Sequence, residues 1–222
     1  MTFFSTIAIL AARLEVMKVL PEDSINDKNK YVVAERSGFW VKLTLLLNIL
    51  LKNPGNIIYL IGVTKNELGC SIYSKIKNIK NGIVPDLDVK VSKKLMKTIF
   101  NAINEGLFES CHDCSDGGFV TAISEMAFAG DKGVNINIDA IKTSEKMTVS
   151  ETLFSESNTR FIVEVSPENV GKFEKLFKGI IISKIGEVSN DKNLKLESKK
   201  SKIFVKENIK NLQKAWQKTL QW

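Results

Sequence analysis

The sequence predicts an α+β fold, a mixed β-sheet flanked by helices. Two observations carry this. Short apolar runs rich in β-branched residues recur between turn residues, as strands require. Between them lie segments whose apolar residues repeat at helical spacing, in no strict strand–helix–strand alternation. With 222 residues, 44% of them hydrophobic, the chain is long enough to bury a substantial core.

The elements follow in order. Residues 1–51 contain two apolar stretches, 3–20 and 39–51, around the polar segment "PEDSINDKNK", which has loop composition. No clear structural unit emerges there. From Pro54-Gly55 onward the punctuation is regular. "NIIYLIGV" is a continuous apolar run, read as a buried strand ending at Gly62. "VSKKLMKTIFNAINEGLFES" reads as a helix. Leu95, Ile99, Ala102, Ile103 and Leu107 fall on one face, Ser92 is its expected N-cap and Gly106 begins its end. "GFVTAISEMAFAG" predicts a buried helix stopped by Gly130. "GVNINID" and "TRFIVEV" predict strands. "SPENVGKFEKLFKG" predicts a helix with Ser166 at the cap, Pro167 at its first position and Glu168 in the first turn. "IISKIGEV", "NLKLES" and "SKIFVK" predict strands, and "ENIKNLQKAWQKTL" an amphipathic terminal helix.

Composition narrows the class of function. The net charge of +7 comes from scattered lysines, without an arginine-rich cluster or basic–aromatic alternation. It reads as a solvated surface, with no nucleic-acid partner. Three cysteines do not make a disulfide scaffold and fit a reducing, cytoplasmic compartment. The N-terminus is broken by Arg13, Glu15 and Lys18 and has no basic leader or convincing cleavage site. "FWVKLTLLLNILL" is too short to span a bilayer, which needs roughly 20 apolar residues, so no membrane partner is expected.

The chemistry concentrates in "ESCHDCSDGG", residues 109–118. It holds Cys111, Cys114 and His112, the only histidine. A Cys-x-x-Cys redox site needs a lowered thiol pKa. Asp113 and Asp116 oppose that, and the preceding segment reads as helix rather than strand. A zinc site wants four Cys or His ligands, and only Cys70 remains elsewhere. An acidic turn is more coherent. Ser115 to Gly118 lead into a helix whose exposed N–H groups favour phosphate, and a nearby aspartate can hold magnesium. On the residues alone, a plain helix cap by Asp116 stands equally open. In "LFSESNTRFIVEV", the polar group Ser155, Glu156, Ser157, Asn158 and Arg160 by itself reads as a loop with a solvated charge pair.

Taken together, "IIYLIGVTKNELGCSIY", the segment from Val84 to Gly130 and "LFSESNTRFIVEV" resemble the C-terminal part of the phosphoribosylformylglycinamidine synthase family. One signature is His112-Asp113-x-Ser115-Asp116-Gly117-Gly118 with Glu125-Met126-Ala127. Another is Gly62, Thr64, Glu67, Leu68, Gly69 and Ser71. The resemblance covers about residues 53–220. It implies the aminoimidazole ribonucleotide synthetase C-terminal-domain-like fold over 53–222, with 1–52 a divergent remnant of a preceding N-type domain plus connector. Related enzymes include selenophosphate synthetase and thiamine-monophosphate kinase.

The resemblance also implies an activity. ATP activates the formamide oxygen of formylglycinamide ribonucleotide, and ammonia from a glutaminase subunit or domain displaces the phosphate. Carried over position by position, Asp113 corresponds to a magnesium ligand. His112, Ser115, Asp116, Gly117, Gly118, Glu156 and Ser157 correspond to nucleotide- or phosphate-binding positions. The sequence departs from the pattern at Cys70, Ile72 and Phe119. The N-type and first-half domains that carry the family's ATP-binding and catalytic segments have no match here. The chain is therefore expected to work only with them, as a fragment, a split subunit or a degenerate copy.

Overall fold

The computed structural model describes residues 49–218. Residues 1–48 of the expected remnant and connector, with most of the 39–51 apolar stretch, and the last four residues lie outside them. Among the described residues, seven strands form one sheet: β1 (Ile57–Ile61), β2 (Ser110–Asp113), β3 (Gly133–Asn137), β4 (Phe161–Val165), β5 (Ile182–Ser189), β6 (Asn193–Ser198) and β7 (Ile203–Asn208). The order is β2-β4-β1-β5-β3-β6-β7. Neighbours run antiparallel except β3 and β6, which are parallel. The sheet is therefore mixed, as the absence of strict alternation predicts. The helices are α1 (Ile72–Lys77), α2 (Val89–Asn104), α3 (Gly118–Gly130), α4 (Val149–Phe154), α5 (Val170–Leu176) and α6 (Ile209–Lys218). Among the described residues, no helix is long and apolar enough to cross a membrane.

Strand alternation builds two cores. In β1, Ile58 and Leu60 point to one face of the sheet and Tyr59 and Ile61 to the other; all four are buried. The run is apolar throughout because both sides are covered. On the first face, Ile58, Leu60, Ile162, Ile185, Val134 and Leu196 pack against Phe119, Ile123 and Met126 of α3 and Ile209 of α6. On the second, Tyr59, Ile61, Val163 and Val165 pack against Leu95 and Ile99 of α2 and against Phe173 and Phe177. The Tyr59 and Phe173 rings sit 4.6 Å apart. α3 is apolar on most sides, whereas α2 buries Leu95, Ile99 and Ala102 as one stripe.

Local chemistry moves several expected boundaries. Asp88, not Ser92, caps α2, accepting from the Val91 amide at 2.9 Å. The helix thus starts a turn earlier, and the Ser92 hydroxyl pairs with Thr159 at 2.7 Å. Gly106 does end that helix, at φ +65°. The segment after Ser166 is not one helix: a 3-10 turn, Pro167–Asn169, precedes α5, and Ser166 makes no cap hydrogen bond. The largest difference is at "SCHD". Those residues form edge strand β2, pairing Cys111 with Val163 and His112 with Ile162. Their period-2 burial was hidden in a stretch of mostly polar residues.

One buried carboxylate closes the sheet's upstream end. Glu164, fully buried, accepts from the Lys52 and Asn53 amides, from Asn56 Nδ2 at 2.7 Å and from Ser110 Oγ at 2.9 Å. It fastens residues 52–56 to β2 and β4, and so fixes the edge on which His112 and Asp113 sit.

Candidate functional site

The three signature segments, distant in sequence, meet where β2 runs into α3. Pairing of β2 with β4 ends as the Cys114 amide donates to the Arg160 carbonyl at 2.9 Å. The chain then turns through Ser115 and Asp116 into α3. Gly117 holds the N-cap position at φ +79° with no side-chain cap, so Asp116 does not cap the helix; it is exposed. Gly118, at φ +68°, lies against the backbone after α4. A Cβ there would sit 2.5 Å from the Ser155 carbonyl oxygen, so only glycine permits the contact.

Glu156 joins the segments. Its Oε1 accepts from the Gly117 amide at 2.8 Å and the Ile72 amide at 3.0 Å, so one carboxylate serves the first turns of α3 and α1. The favourable position for an anion at a helix start is thus taken by the chain's own side chain. Gly118 donates to Ser115 at 3.0 Å. Ser157, buried, accepts from the Lys65 amide at 3.0 Å and donates to the Lys65 carbonyl at 3.1 Å. Beneath it, Arg160 is 1% exposed. It donates from Nε to the Ser157 carbonyl, from Nη1 to Thr64 Oγ1 at 3.0 Å and from Nη2 to the Ser155 carbonyl. Burial pulls its pKa down, and the nearby carboxylates of Glu67 and Glu156 act the other way. Glu67 Oε1 accepts from the Asp86 amide at 3.2 Å. Glu67 Oε2 and Ser155 Oγ are buried without a hydrogen-bond partner among the described residues.

His112 sits between two carboxylates. Its Nε2 lies 2.7 Å from Glu125 Oε2 and its Nδ1 3.3 Å from Asp113 Oδ1. Both contacts are satisfied together only when both ring nitrogens carry protons. Burial opposes that charge, yet hydrogen bonds and charge from Asp113 and Glu125 overcome it and raise the pKa to about 9. The His112 hydrogen bond in turn lowers the Asp113 pKa, against partial burial. Glu125 Oε1 accepts from the Trp216 indole N–H at 3.0 Å.

The cysteines do not form a redox pair. Cys111 packs on the second core and Cys114 in the first, on opposite sides of the sheet. Burial raises their pKa values to about 12 and about 11, the reverse of an activated thiol. No group of three or more His, Cys, Asp or Glu residues is arranged to hold a metal among the described residues, which leaves the zinc reading without support.

The expected site residues therefore divide. Asp113, Ser115 and Asp116 reach the surface, while Gly117, Gly118, Glu156 and Ser157 belong to the internal network. Magnesium commonly takes one or two carboxylates plus phosphate oxygens. Asp113, half exposed, has the carboxylate chemistry of one such ligand. Sequence reasoning placed Glu125 in the signature but missed its contact with His112, and missed Trp216 behind it, which belongs to no motif.

The sequence family described as AIR synthase related protein, C-terminal domain, matches residues 53–199. Among solved structures, Thermotoga maritima PurL complexed with ATP is 22% identical at a TM-score of 0.63, covering 78% of this chain and 28% of that one. T. maritima PurL complexed with FGAR is 23% identical at 0.66, covering 75% and 29%. E. coli HypE, a hydrogenase maturation protein, is 15% identical at 0.54, covering 73% and 51%. At these identities the shared property is the fold, and the chain spans less than a third of the PurL chains. The family match, which takes in all three signature segments and most of the sheet, shows that this chain belongs to the AIR synthase related proteins, as their C-terminal domain.

Proposed function

We propose that the chain is the C-terminal synthetase-like domain of a phosphoribosylformylglycinamidine synthase, working in the cytoplasm with N-type and first-half domains. The reaction it would serve turns the formamide of formylglycinamide ribonucleotide into an amidine. It consumes ATP and takes ammonia from a glutaminase subunit or domain. The observation that carries the reading is the Glu156 carboxylate, which binds the Gly117 and Ile72 amides and so draws all three signature segments into one unit. Asp113 would supply a carboxylate oxygen to magnesium, which neutralises phosphate charge when bound. Arg160 and Ser157 hold the loops beneath, and the protonated His112 keeps Asp113 ionised. The test is complementation. The chain is mixed with the missing domains, and ammonia- or glutamine-dependent, ATP-consuming product formation is measured. No gain over the missing domains alone overturns the proposal.

One observation favours a second reading, a non-catalytic supporting domain: the helix start that would receive phosphate already holds Glu156. If Asp113→Asn and Asp116→Asn leave both magnesium–nucleotide binding and complementation unchanged, this second reading holds.

A further inference from the structure

We propose that Trp216, on the C-terminal helix, is a positioning residue that orients Glu125 and through it the His112 ring of the signature strand. The geometry is a fork. The two oxygens of Glu125 are each engaged, Oε1 by the Trp216 indole N–H at 3.0 Å and Oε2 by His112 Nε2 at 2.7 Å. His112 then reaches Asp113 through its other nitrogen at 3.3 Å. Four side chains from β2, α3 and α6 thus form one line, ending at the exposed carboxylate.

The line needs its outer member. The Glu125 side chain is 23% exposed, and a partly solvated glutamate otherwise keeps much of its rotamer freedom. An indole N–H can only donate, so its place opposite Oε1 selects the carboxylate rotamer that presents Oε2 to His112. Trp216 is 46% exposed and has an aromatic neighbour. Its ring lies 5.8 Å from that of Phe128, also on α3. Ile209 is fully buried and Leu212 packs on the first core, so α6 has an anchor independent of the indole. Position 216 lies beyond the family match, which ends at residue 199. Its bearing on activity rests on the proposed function; the coupling to His112 does not.

The chain, with its single histidine, suits a spectroscopic test. His112 ring signals are followed by NMR at one fixed pH in the wild type and in Trp216→Phe, which keeps an aromatic side chain near Phe128 and removes the N–H donor. The expected result is a His112 ring shift larger than its linewidth, with the amide signals of α6 retained. Unmoved His112 signals overturn the proposal. If Trp216→Phe instead releases α6, Glu125→Gln decides. Trp216's indole signal, assigned by its loss in Trp216→Phe, must then move together with the His112 ring signals, and an indole signal that stays in place overturns the proposal. Both readouts are independent of complementation, so a failed synthase assay leaves this result standing.

Discussion

His112 and Gly118 show what single positions contribute. The folded-state pKa of His112, about 9, lies above the ordinary value of about 6.5. Protonation therefore stabilises the folded state fully below about pH 6.5, and the contribution fades as pH rises through 9. The difference corresponds to roughly 3 kcal/mol. Urea midpoints of wild type and His112→Asn should differ most at pH 6 and converge by pH 10; a constant gap across that window contradicts the imidazolium pair. At Gly118, alanine adds left-handed backbone strain and a contact 2.5 Å from a backbone oxygen. We expect a loss above about 2 kcal/mol by denaturant unfolding. Gly171 on α5 has nothing within 4 Å of a built Cβ, so Gly171→Ala should be neutral or stabilising by up to about 1 kcal/mol. Equal effects at the two sites would refute the packing account. His112, Asp113 and the glycine pair were legible because their chemistry is local. Glu125 lies 13 residues from His112 and Trp216 91 residues from Glu125, so only the fold could join them.

Elements were legible in proportion to their length and periodicity. α2, α3, β1, β4 and β5 each bury a regular apolar pattern, and the sequence predicts each within a few residues. α1 and α4, six residues each, are too short for periodicity to register. α4 is defined instead by a capping box, with Thr148 Oγ1 accepting from the Glu151 amide and Glu151 from the Thr148 amide. β2 was hidden because an edge strand next to the site carries site residues rather than apolar ones. At the start of α1, Ser71 accepts from the Ser74 amide and Glu156, 84 residues away, accepts from the Ile72 amide. Glu156→Ala should leave the Ile72 and Gly117 amides without their acceptor, at a cost of about 1–3 kcal/mol. Glu156→Gln retains an acceptor oxygen and should cost less. Hydrogen exchange at those two amides measures it, and unchanged exchange in Glu156→Ala would remove Glu156 as the joint between the segments.

At the scale of the whole described unit, the two cores share the strands that separate them. Alternate residues of β1 enter opposite cores, Ile58 and Leu60 on one side and Tyr59 and Ile61 on the other, and β4 divides in the same way between Ile162 and the pair Val163 and Val165. Such strands cannot lose one core and keep their place in the other, because register sets both faces at once. The unit should therefore unfold in one cooperative transition rather than face by face. Leu60→Ala empties space in the first core and Phe173→Ala in the second; both side chains are fully buried, and each loss should cost about 2–5 kcal/mol. Either change should move the same single transition, whether it is followed by far-ultraviolet circular dichroism or by the exchange of β5 amides. If Phe173→Ala melts α2 and α5 while α3 and the sheet persist, the faces are separate folding units. The carboxylate joint at Glu156 and the histidine line at β2 would then belong to only one of them.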